Sequence, residues 1–235
     1  MVDSAGREPS FDLDGTLIDS AADIRTGLNA ILKVNGLREL TLAETISLIG
    51  QGPQRLIERA FAFRGRGLVQ QELQELTQRF VAAYEQNPAP ETRAFPGARE
   101  VIADLRHAAR IGICTNKPVR LARQALARCG LATLLDGLVG SDSGFGRKPD
   151  AGPVRALLDS LDVSSTEALY VGDSDIDVTA ARAAGVKVAV VSFGYAGRPA
   201  EQLGADAILG TFADLPRVIK ELSLRPGEVA TRPLV

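Results

Sequence analysis

Two aspartates separated by one residue, Asp12 and Asp14, stand in the N-terminal segment FDLDGTLIDS. The segment is short and apolar and ends in Asp-Gly, which predicts a strand running into a turn. Alternate side chains of a strand face the same way, so the two carboxylates can converge where the strand ends. Such a pair can bind a hard divalent cation, or act as nucleophile and general acid-base. Gly15 permits a turn that exposes N–H groups to an anion, although a turn with two surface aspartates is the alternative.

Two further polar segments follow predicted strands. Thr115 and Asn116 end the apolar run IGICT. A hydroxyl there can donate to a phosphoryl oxygen, and a helix N-cap ahead of Pro118 is the alternative. Lys148 in RKPD could neutralise charge on a phosphoryl group and on its nucleophile, whereas a solvated surface lysine is the alternative. Lysines merit notice here because only five of the 27 basic residues are lysine.

The segment GDSDID carries three acidic residues behind another apolar run, ALYV. Asp173 at the strand end suits metal binding, and Asp177, one helical turn further, could orient Asp173 or a metal-bound water. Acidic residues in a first helical turn also cap the helix and match its dipole. Capping accounts for one or two of these residues and leaves the others unexplained, which favours a functional site.

The elements that must position these residues change character along the chain. From residue 20 to about 92 the apolar spacing is helical throughout, with no strand candidate. Beyond it, helices alternate with short β-branched strands at 111–115, 137–141, 168–172, 187–192 and, weakly, 207–209. This alternation predicts an α/β fold, a Rossmann-like parallel sheet core with a helical cap inserted after the first strand.

We therefore expect residues 1–18 and 93–225 to form the core, and residues 19–92 to form the cap. The last residues, 226–235, read as a disordered tail. Ligands of open parallel sheets bind beyond the carboxyl ends of the strands. An insert that leaves after the first strand should therefore lie over the active site as a lid.

Composition excludes several classes of function. The net charge of −2 provides no basic field for nucleic acid, and no apolar run is long enough to cross a bilayer. The first ten residues lack an apolar signal core, so we expect a cytoplasmic protein. The single histidine, His107, is expected on a surface helix, which argues against Ser-His-Asp and Cys-His mechanisms. Two cysteines, Cys114 and Cys129, do not make a disulfide framework.

Taken together, an Asp-x-Asp pair, a threonine, a lysine and paired aspartates follow successive strands in this order. They match the four motifs of the haloacid dehalogenase superfamily, and the chain resembles that family over residues 11–222. FDLDGTLIDS and GDSDID carry most of the resemblance. The helical insert between the first and second motifs resembles the type of cap inserted after the first strand.

The resemblance implies the roles of the site residues. Asp12 is expected to attack phosphorus and form an aspartyl-phosphate, while Asp14 protonates the leaving oxygen and then activates water. Thr115 and Lys148 are expected to hold the phosphoryl group. A Mg²⁺ cofactor is expected to be bound by the carboxylates of Asp12 and Asp173 and by the backbone carbonyl of Asp14. Asp177 is expected to support the metal site. Three further residues are expected to bind substrate: Gly15, Thr16 and Asn116.

Within the superfamily the chain resembles phosphoglycolate phosphatases, through DGTLIDSAADI, TNKP and VSFGYAG. Asp14 argues for a phosphate ester, because haloacid dehalogenases proper and phosphonate-cleaving relatives lack this second acid. The substrate is expected to be a small phosphate ester, with 2-phosphoglycolate first. A generalist sugar-phosphate or nucleotide phosphatase, a β-phosphoglucomutase-like mutase, and a non-enzymatic binding protein stay open. No nucleic acid or membrane partner is expected, and the protein should be a monomer or homodimer.

Two local features complete the expectations. The cap segment GQGPQR should face the substrate, with Arg55 on its carboxylate, since arginine suits bidentate carboxylate binding. A helix junction with a surface arginine is the alternative. Relatives usually have several apolar residues before the first motif, whereas Glu8 and Pro9 stand here, so the first strand should be short or frayed.

Overall fold

The computed structural model describes residues 7–86 and 90–223. Helices cover nine segments: α1 (Ala21–Val34), α2 (Leu42–Ile46), α3 (Gly52–Phe63), α4 (Gln70–Gln86), α5 (Ala98–Leu105), α6 (Val119–Arg128), α7 (Gly152–Leu161), α8 (Asp175–Ala183) and α9 (Leu215–Ser223). Strands cover eight: β1 (Glu8–Phe11), β2 (Ile18–Asp19), β3 (Arg93–Ala94), β4 (Gly112–Cys114), β5 (Gly137–Val139), β6 (Ala168–Gly172), β7 (Lys187–Val191) and β8 (Ala207–Leu209). The expected tail, 226–235, lies outside the described residues.

Six of the strands form one parallel sheet in the order β5-β4-β1-β6-β7-β8. Hydrophobic clusters line both faces of the sheet, so helices cover it on each side. The chain winds outward from β1 in one direction and then, from β6, in the other. The carboxyl ends of β4, β1 and β6 therefore meet at the point where the strand order reverses, which is where open sheets bind ligands. The predicted α/β fold is confirmed.

The helical insert after the first strand is also confirmed. Helices α1 to α4 lie between β1 and β4 in the chain and share their own hydrophobic cluster. Strands β2 and β3 pair antiparallel, so the chain leaves for the insert and returns from it side by side. The sequence did not indicate this pair, because two residues are too few to form a pattern. The division into domains at 18/19 and 92/93 stays a prediction.

The first strand is short, as expected, yet it lies in the middle of the sheet despite its proline. The N–H groups of Glu8 and Asp12 donate to β6 and its neighbouring residue, at Glu167 (2.7 Å) and Val171 (2.9 Å). Alternate N–H groups of a strand point to opposite neighbours, so the N–H that Pro9 lacks belongs on the β4 side. Pairing with β4 begins only at Ser10, and no ladder bond is lost. The carboxylate of Glu8 accepts the backbone N–H of Arg110.

One predicted helical position differs from the structure. Helix α5 ends at Leu105. The exposed His107 consequently lies in a turn after α5, and not on a surface helix. Within residues 7–86 and 90–223, no helix combines the length and the hydropathy needed to cross a membrane.

Gly172 at the end of β6 allows the first turn of α8 to approach the sheet. A Cβ at this position would lie 2.3 Å from Cβ of Asp177, a contact that no side-chain rotation relieves. We expect Gly172→Ala to lower the free energy of unfolding by about 2–3 kcal/mol, because overpacking forces a backbone shift. Urea unfolding measures it. Exposed Gly67, where a Cβ meets nothing within 4 Å, is the control. Equal stability of the two alanine variants would contradict the expectation.

Candidate active site

Asp12 follows β1 directly and lies at the floor of the site. Its backbone N–H donates to Val171 at 2.9 Å, which fixes it beside the end of β6. Burial raises the pKa of its carboxyl to about 6, although the ammonium of Lys148 opposes this rise. The carboxylate is thus poorly hydrated and held by one cation, a setting that favours a nucleophile over a surface charge.

Lys148 is the cation that neutralises this floor. Its Nζ lies 2.8 Å from Oδ1 of Asp12, 2.7 Å from Oδ1 of Asp177 and 2.9 Å from the hydroxyl of Tyr170. Burial alone would lower the pKa of the ammonium, but the two carboxylates outweigh it and hold the pKa above its usual value. Three acceptors use all three donors of the ammonium. Lys148 is buried, so a solvated surface lysine is the wrong interpretation.

Three carboxylates converge around this lysine. Oxygen atoms of Asp12, Asp173 and Asp177 all lie within 4.8 Å of one another. Burial raises the pKa of Asp173 well above its usual value, and the charges of Asp177 and Asp12 raise it further. If all three carboxylates are ionised, one ammonium leaves an excess of two negative charges in a buried place. A divalent cation with hard oxygen ligands balances that excess, so the donor set fits Mg²⁺.

Asp177 serves the turn between β6 and α8 as well as Lys148. Its Oδ2 accepts the N–H groups of Asp173 (3.2 Å) and Ser174 (3.1 Å) and the Ser174 hydroxyl (2.7 Å). The capping interpretation is therefore right for Asp177, and it does not exclude a site, since Oδ1 still holds Lys148. Its predicted support of a metal stays a prediction.

Two residues predicted to bind substrate hold Asp173. The hydroxyl of Thr16 is buried and donates to Asp173 Oδ1 at 3.2 Å. Gly15 has φ +87°, and its N–H donates to Ile18 at 2.9 Å, so it does not face an anion. A Cβ on Gly15 would lie 2.6 Å from Asp173 Oδ2, so only glycine lets this loop pass so close. Both residues lie against Asp173, and their predicted binding of substrate stays a prediction.

Thr115 and Asn116 lie side by side after β4 but differ in role. The Thr115 hydroxyl accepts the N–H of Lys117 at 3.2 Å, which leaves its own hydrogen for an acceptor in the site. The Asn116 amide donates to Gly50 and Lys148 carbonyls, each at 2.9 Å, and its oxygen accepts the Lys148 N–H at 3.0 Å. Both amide hydrogens are used, so Asn116 joins three loops rather than binding substrate through its side chain.

A second buried lysine, which the sequence predictions did not include, lies opposite Lys148. Lys117 Nζ lies 2.8 and 3.1 Å from the two oxygens of Asp14 and 4.9 Å from the centre of the Tyr84 ring. Asp14 also accepts the hydroxyl hydrogen of Ser20 at 2.5 Å. The scarcity of lysine was a signal that could have identified Lys117, since two of the five are buried at this site.

A cavity partly open to solvent lies between the sheet edge and the insert. Its floor carries Asp12, Asp14, Thr115, Asn116 and Lys117, and its other walls carry Ile24, Ile49, Gly50, Gly52, Pro53, Leu56, Phe80, Tyr84 and Leu121. The predicted cap loop at residues 50–53 does face this cavity. Arg55 does not line it: its side chain is 59% exposed and pairs with Glu58 at 2.6 Å. Helical i,i+3 spacing directs Arg55 to that partner, so no contact among the described residues supports the carboxylate-binding prediction.

Comparison with known proteins identifies the family. The model of the family described as haloacid dehalogenase-like hydrolase matches residues 10–191. The chain belongs to the haloacid dehalogenase-like hydrolases. This hydrolase is 42% identical to the phosphoglycolate phosphatase of Cereibacter sphaeroides over 213 residues, which cover 90% of this chain and 97% of the relative. It is also 42% identical to the phosphoglycolate phosphatase of Rhodospirillum rubrum, covering 87% of each chain.

A solved structure agrees with these relatives. The crystal structure of a predicted phosphoglycolate phosphatase from Haemophilus somnus superposes with a TM-score of 0.82 at 28% identity. The match covers 91% of this hydrolase and 98% of that chain. The resemblance to phosphoglycolate phosphatases is thereby confirmed, as is the expectation of a phosphoric monoester hydrolase. This result argues against the alternative of a non-enzymatic binding protein.

Removing Lys148 should leave the carboxylates without their cation. We expect Lys148→Met to lower the free energy of unfolding by about 3–5 kcal/mol in a buffer with EDTA, because it leaves uncompensated charge buried. Exposed Lys33→Met is the matched control and should change stability by under about 0.5 kcal/mol. Chemical denaturation at pH 7 measures both. Similar stability of the two variants would mean that Lys148 does not neutralise the cluster.

Proposed function

We propose that this hydrolase is a Mg²⁺-dependent phosphatase that cleaves a small phosphomonoester through an aspartyl-phosphate on Asp12, with 2-phosphoglycolate as substrate. The observation that carries the proposal is the arrangement of Asp12 on buried Lys148, with Asp14 on the same cavity floor. Phosphoryl transfer needs little covalent chemistry from a protein beyond positioning and charge neutralisation. This site provides both.

In the proposed first step, a carboxylate oxygen of Asp12 forms a bond to phosphorus while the ester P–O bond breaks. The leaving alkoxide takes a proton from Asp14. In the second step, Asp14 accepts a proton from water as the water oxygen attacks phosphorus, which restores the Asp12 carboxylate and releases phosphate. We assign the hydroxyl hydrogen of Thr115 to a phosphoryl oxygen; its position in the lining of the same cavity supports this role.

Positive charge near the nucleophile lets two anions approach each other. Lys148 holds Asp12 at 2.8 Å, so it screens the nucleophile from the phosphoryl charge. Mg²⁺, held by Asp12, Asp173 and the backbone carbonyl of Asp14, would supply further neutralisation of the phosphoryl oxygens. The excess negative charge of the buried carboxylates supports that assignment.

The choice of substrate rests on the relatives and on the residues that form the cavity walls. Two relatives at 42% identity are phosphoglycolate phosphatases, and each covers 87% or more of this chain. The cavity walls contributed by the insert are mainly apolar, which disfavours a sugar whose hydroxyl groups need partners. The generalist phosphatase and the mutase remain outcomes of the test below.

Phosphate release from a panel of phosphorylated metabolites with Mg²⁺ tests the proposal. We expect 2-phosphoglycolate to exceed sugar phosphates, nucleotides and pyrophosphate by about a hundredfold in kcat/KM, or about 2.7 kcal/mol. Asp12→Asn should abolish release, since an amide cannot act as the nucleophile. Comparable rates on several substrates would indicate a generalist, and isomerisation of a sugar phosphate without release would indicate a mutase.

Metal binding can be tested without turnover. We expect Mg²⁺ to raise the melting temperature, since a ligand at a hundred times its Kd stabilises a fold by about 2.7 kcal/mol. Asp173→Asn should abolish this increase, whereas Asp162→Asn, whose side chain is 98% exposed, should keep it. Differential scanning calorimetry over a Mg²⁺ titration measures both. An equal Mg²⁺ response in the two variants would place the metal elsewhere.

A further inference from the structure

We propose that Lys117 and Tyr84 form a subsite for a carboxylate of the substrate, and that this subsite selects phosphomonoesters whose leaving group is a small carboxylic acid. The inference rests on the proposed phosphatase function and deepens it. Among the described residues that line the cavity, the charged side chains are Asp12, Asp14 and Lys117. Among these lining residues, Lys117 is therefore the cationic side chain that a second anionic group of a substrate can contact.

Lys117 is a buried lysine whose ammonium contacts protein groups rather than solvent. Its side chain is 5% exposed, and Nζ contacts both oxygens of Asp14 while lying over the Tyr84 ring. The ion pair with Asp14 holds this ammonium in the cavity wall. An ammonium has three donors, and the two contacts with Asp14 use no more than two of them.

Tyr84 provides the second, independent observation. Its side chain is 4% exposed and lines the cavity, yet its hydroxyl has no hydrogen-bond partner within residues 7–86 and 90–223. Burial raises the pKa of the phenol, so it is a neutral donor. A buried hydroxyl without a partner costs about 1–3 kcal/mol. A carboxylate between the phenol and the Lys117 ammonium would accept from both and remove that cost.

The remaining walls limit what can be attached to the carboxylate. Leu56, Phe80 and Leu121 are buried and apolar and line the same cavity. Further hydroxyl groups on a substrate would lose water there without gaining partners. Asp14 must reach the leaving oxygen and already touches Lys117, so the ester oxygen and the carboxylate lie on either side of one side chain. A short linker between the ester oxygen and the carboxylate fits that arrangement.

The shared position of Lys117 links recognition to chemistry. In the structure both oxygens of Asp14 are engaged by Lys117. A substrate carboxylate competes for the same ammonium and releases an Asp14 oxygen toward the leaving oxygen. A neutral substrate lacks this effect. Selection by the subsite should consequently raise kcat as well as lower KM.

A pair of substrates that differ only in the carboxylate tests the proposal. 2-Hydroxyethyl phosphate replaces the carboxylate of 2-phosphoglycolate by a neutral hydroxymethyl group. We expect the wild-type protein with Mg²⁺ to prefer 2-phosphoglycolate by about a hundredfold in kcat/KM, and Lys117→Met to reduce this ratio to within about threefold of unity. Tyr84→Phe should reduce the ratio about three- to tenfold. Arg55→Ala, a cation removed outside the cavity, should leave the ratio unchanged.

The ratio of the two kcat/KM values distinguishes a loss of carboxylate recognition from a loss of Asp14 function. If Lys117→Met slows both substrates equally and the wild-type ratio persists, Lys117 serves Asp14 alone and the proposal is overturned. A wild-type ratio near unity with active turnover overturns it too, while the phosphatase function stands. If Lys117→Met does not fold, the Tyr84→Phe ratio decides the question.

Calorimetry with Asp12→Asn gives a readout that needs no turnover. We expect this variant to bind 2-phosphoglycolate at least about thirtyfold more tightly than 2-hydroxyethyl phosphate, and the added Lys117→Met to abolish the difference. Such a binding preference, together with a wild-type chain that releases no phosphate from either compound, would overturn the proposed function and support the subsite. Equal binding of the two compounds would overturn the subsite.

Discussion

One buried ammonium holds the site together. Lys148 contacts Asp12 after β1, Asp177 in α8 and the Tyr170 hydroxyl in β6. Tyr170 in turn donates to the carbonyl of Cys114 at the end of β4, at 2.7 Å. Three neighbouring strands and one helix therefore meet in a single hydrogen-bonded network whose donors and acceptors are matched. Such a network is costly to leave half made, so the positions of its members depend on one another.

The insert is attached to this network at two places. Asn116 joins the Gly50 carbonyl in the insert to the backbone of Lys148. Tyr195 donates its N–H to Asp173 at 2.7 Å, and its hydroxyl accepts the N–H groups of Ser20 (2.8 Å) and Ala21 (3.0 Å) at the start of α1. These hydrogen bonds fix the position of the cavity walls relative to the acidic residues of its floor. This explains how a helical unit with its own core can still define the space above Asp12.

Much of the fold and the centre of the site could be predicted from the sequence. Short apolar strands alternating with helices indicated the parallel sheet. Asp12 and Asp173 stand directly after predicted strands, and Lys148 lies in the loop that follows the predicted strand at 137–141. Residues whose role depends on contacts far along the chain could not be assigned in the same way. Thr16 meets Asp173 across 157 residues of sequence, and Arg55 is drawn to Glu58 rather than to the cavity. For Lys117, the sequence offered only the scarcity of lysine as a signal and no predicted role.

The central place of β1 also has a consequence for biosynthesis. Ser10 pairs with Gly112 on one side and with Tyr170 on the other, so its partners are made 102 and 160 residues later. A chain emerging from the ribosome carries this segment unpaired until β6 has been translated. Pairing across such separations is slow because loop closure precedes any gain from contact. Strand β1 is therefore completed late, and its brevity and its proline make it a poor template for pairing with other nascent chains.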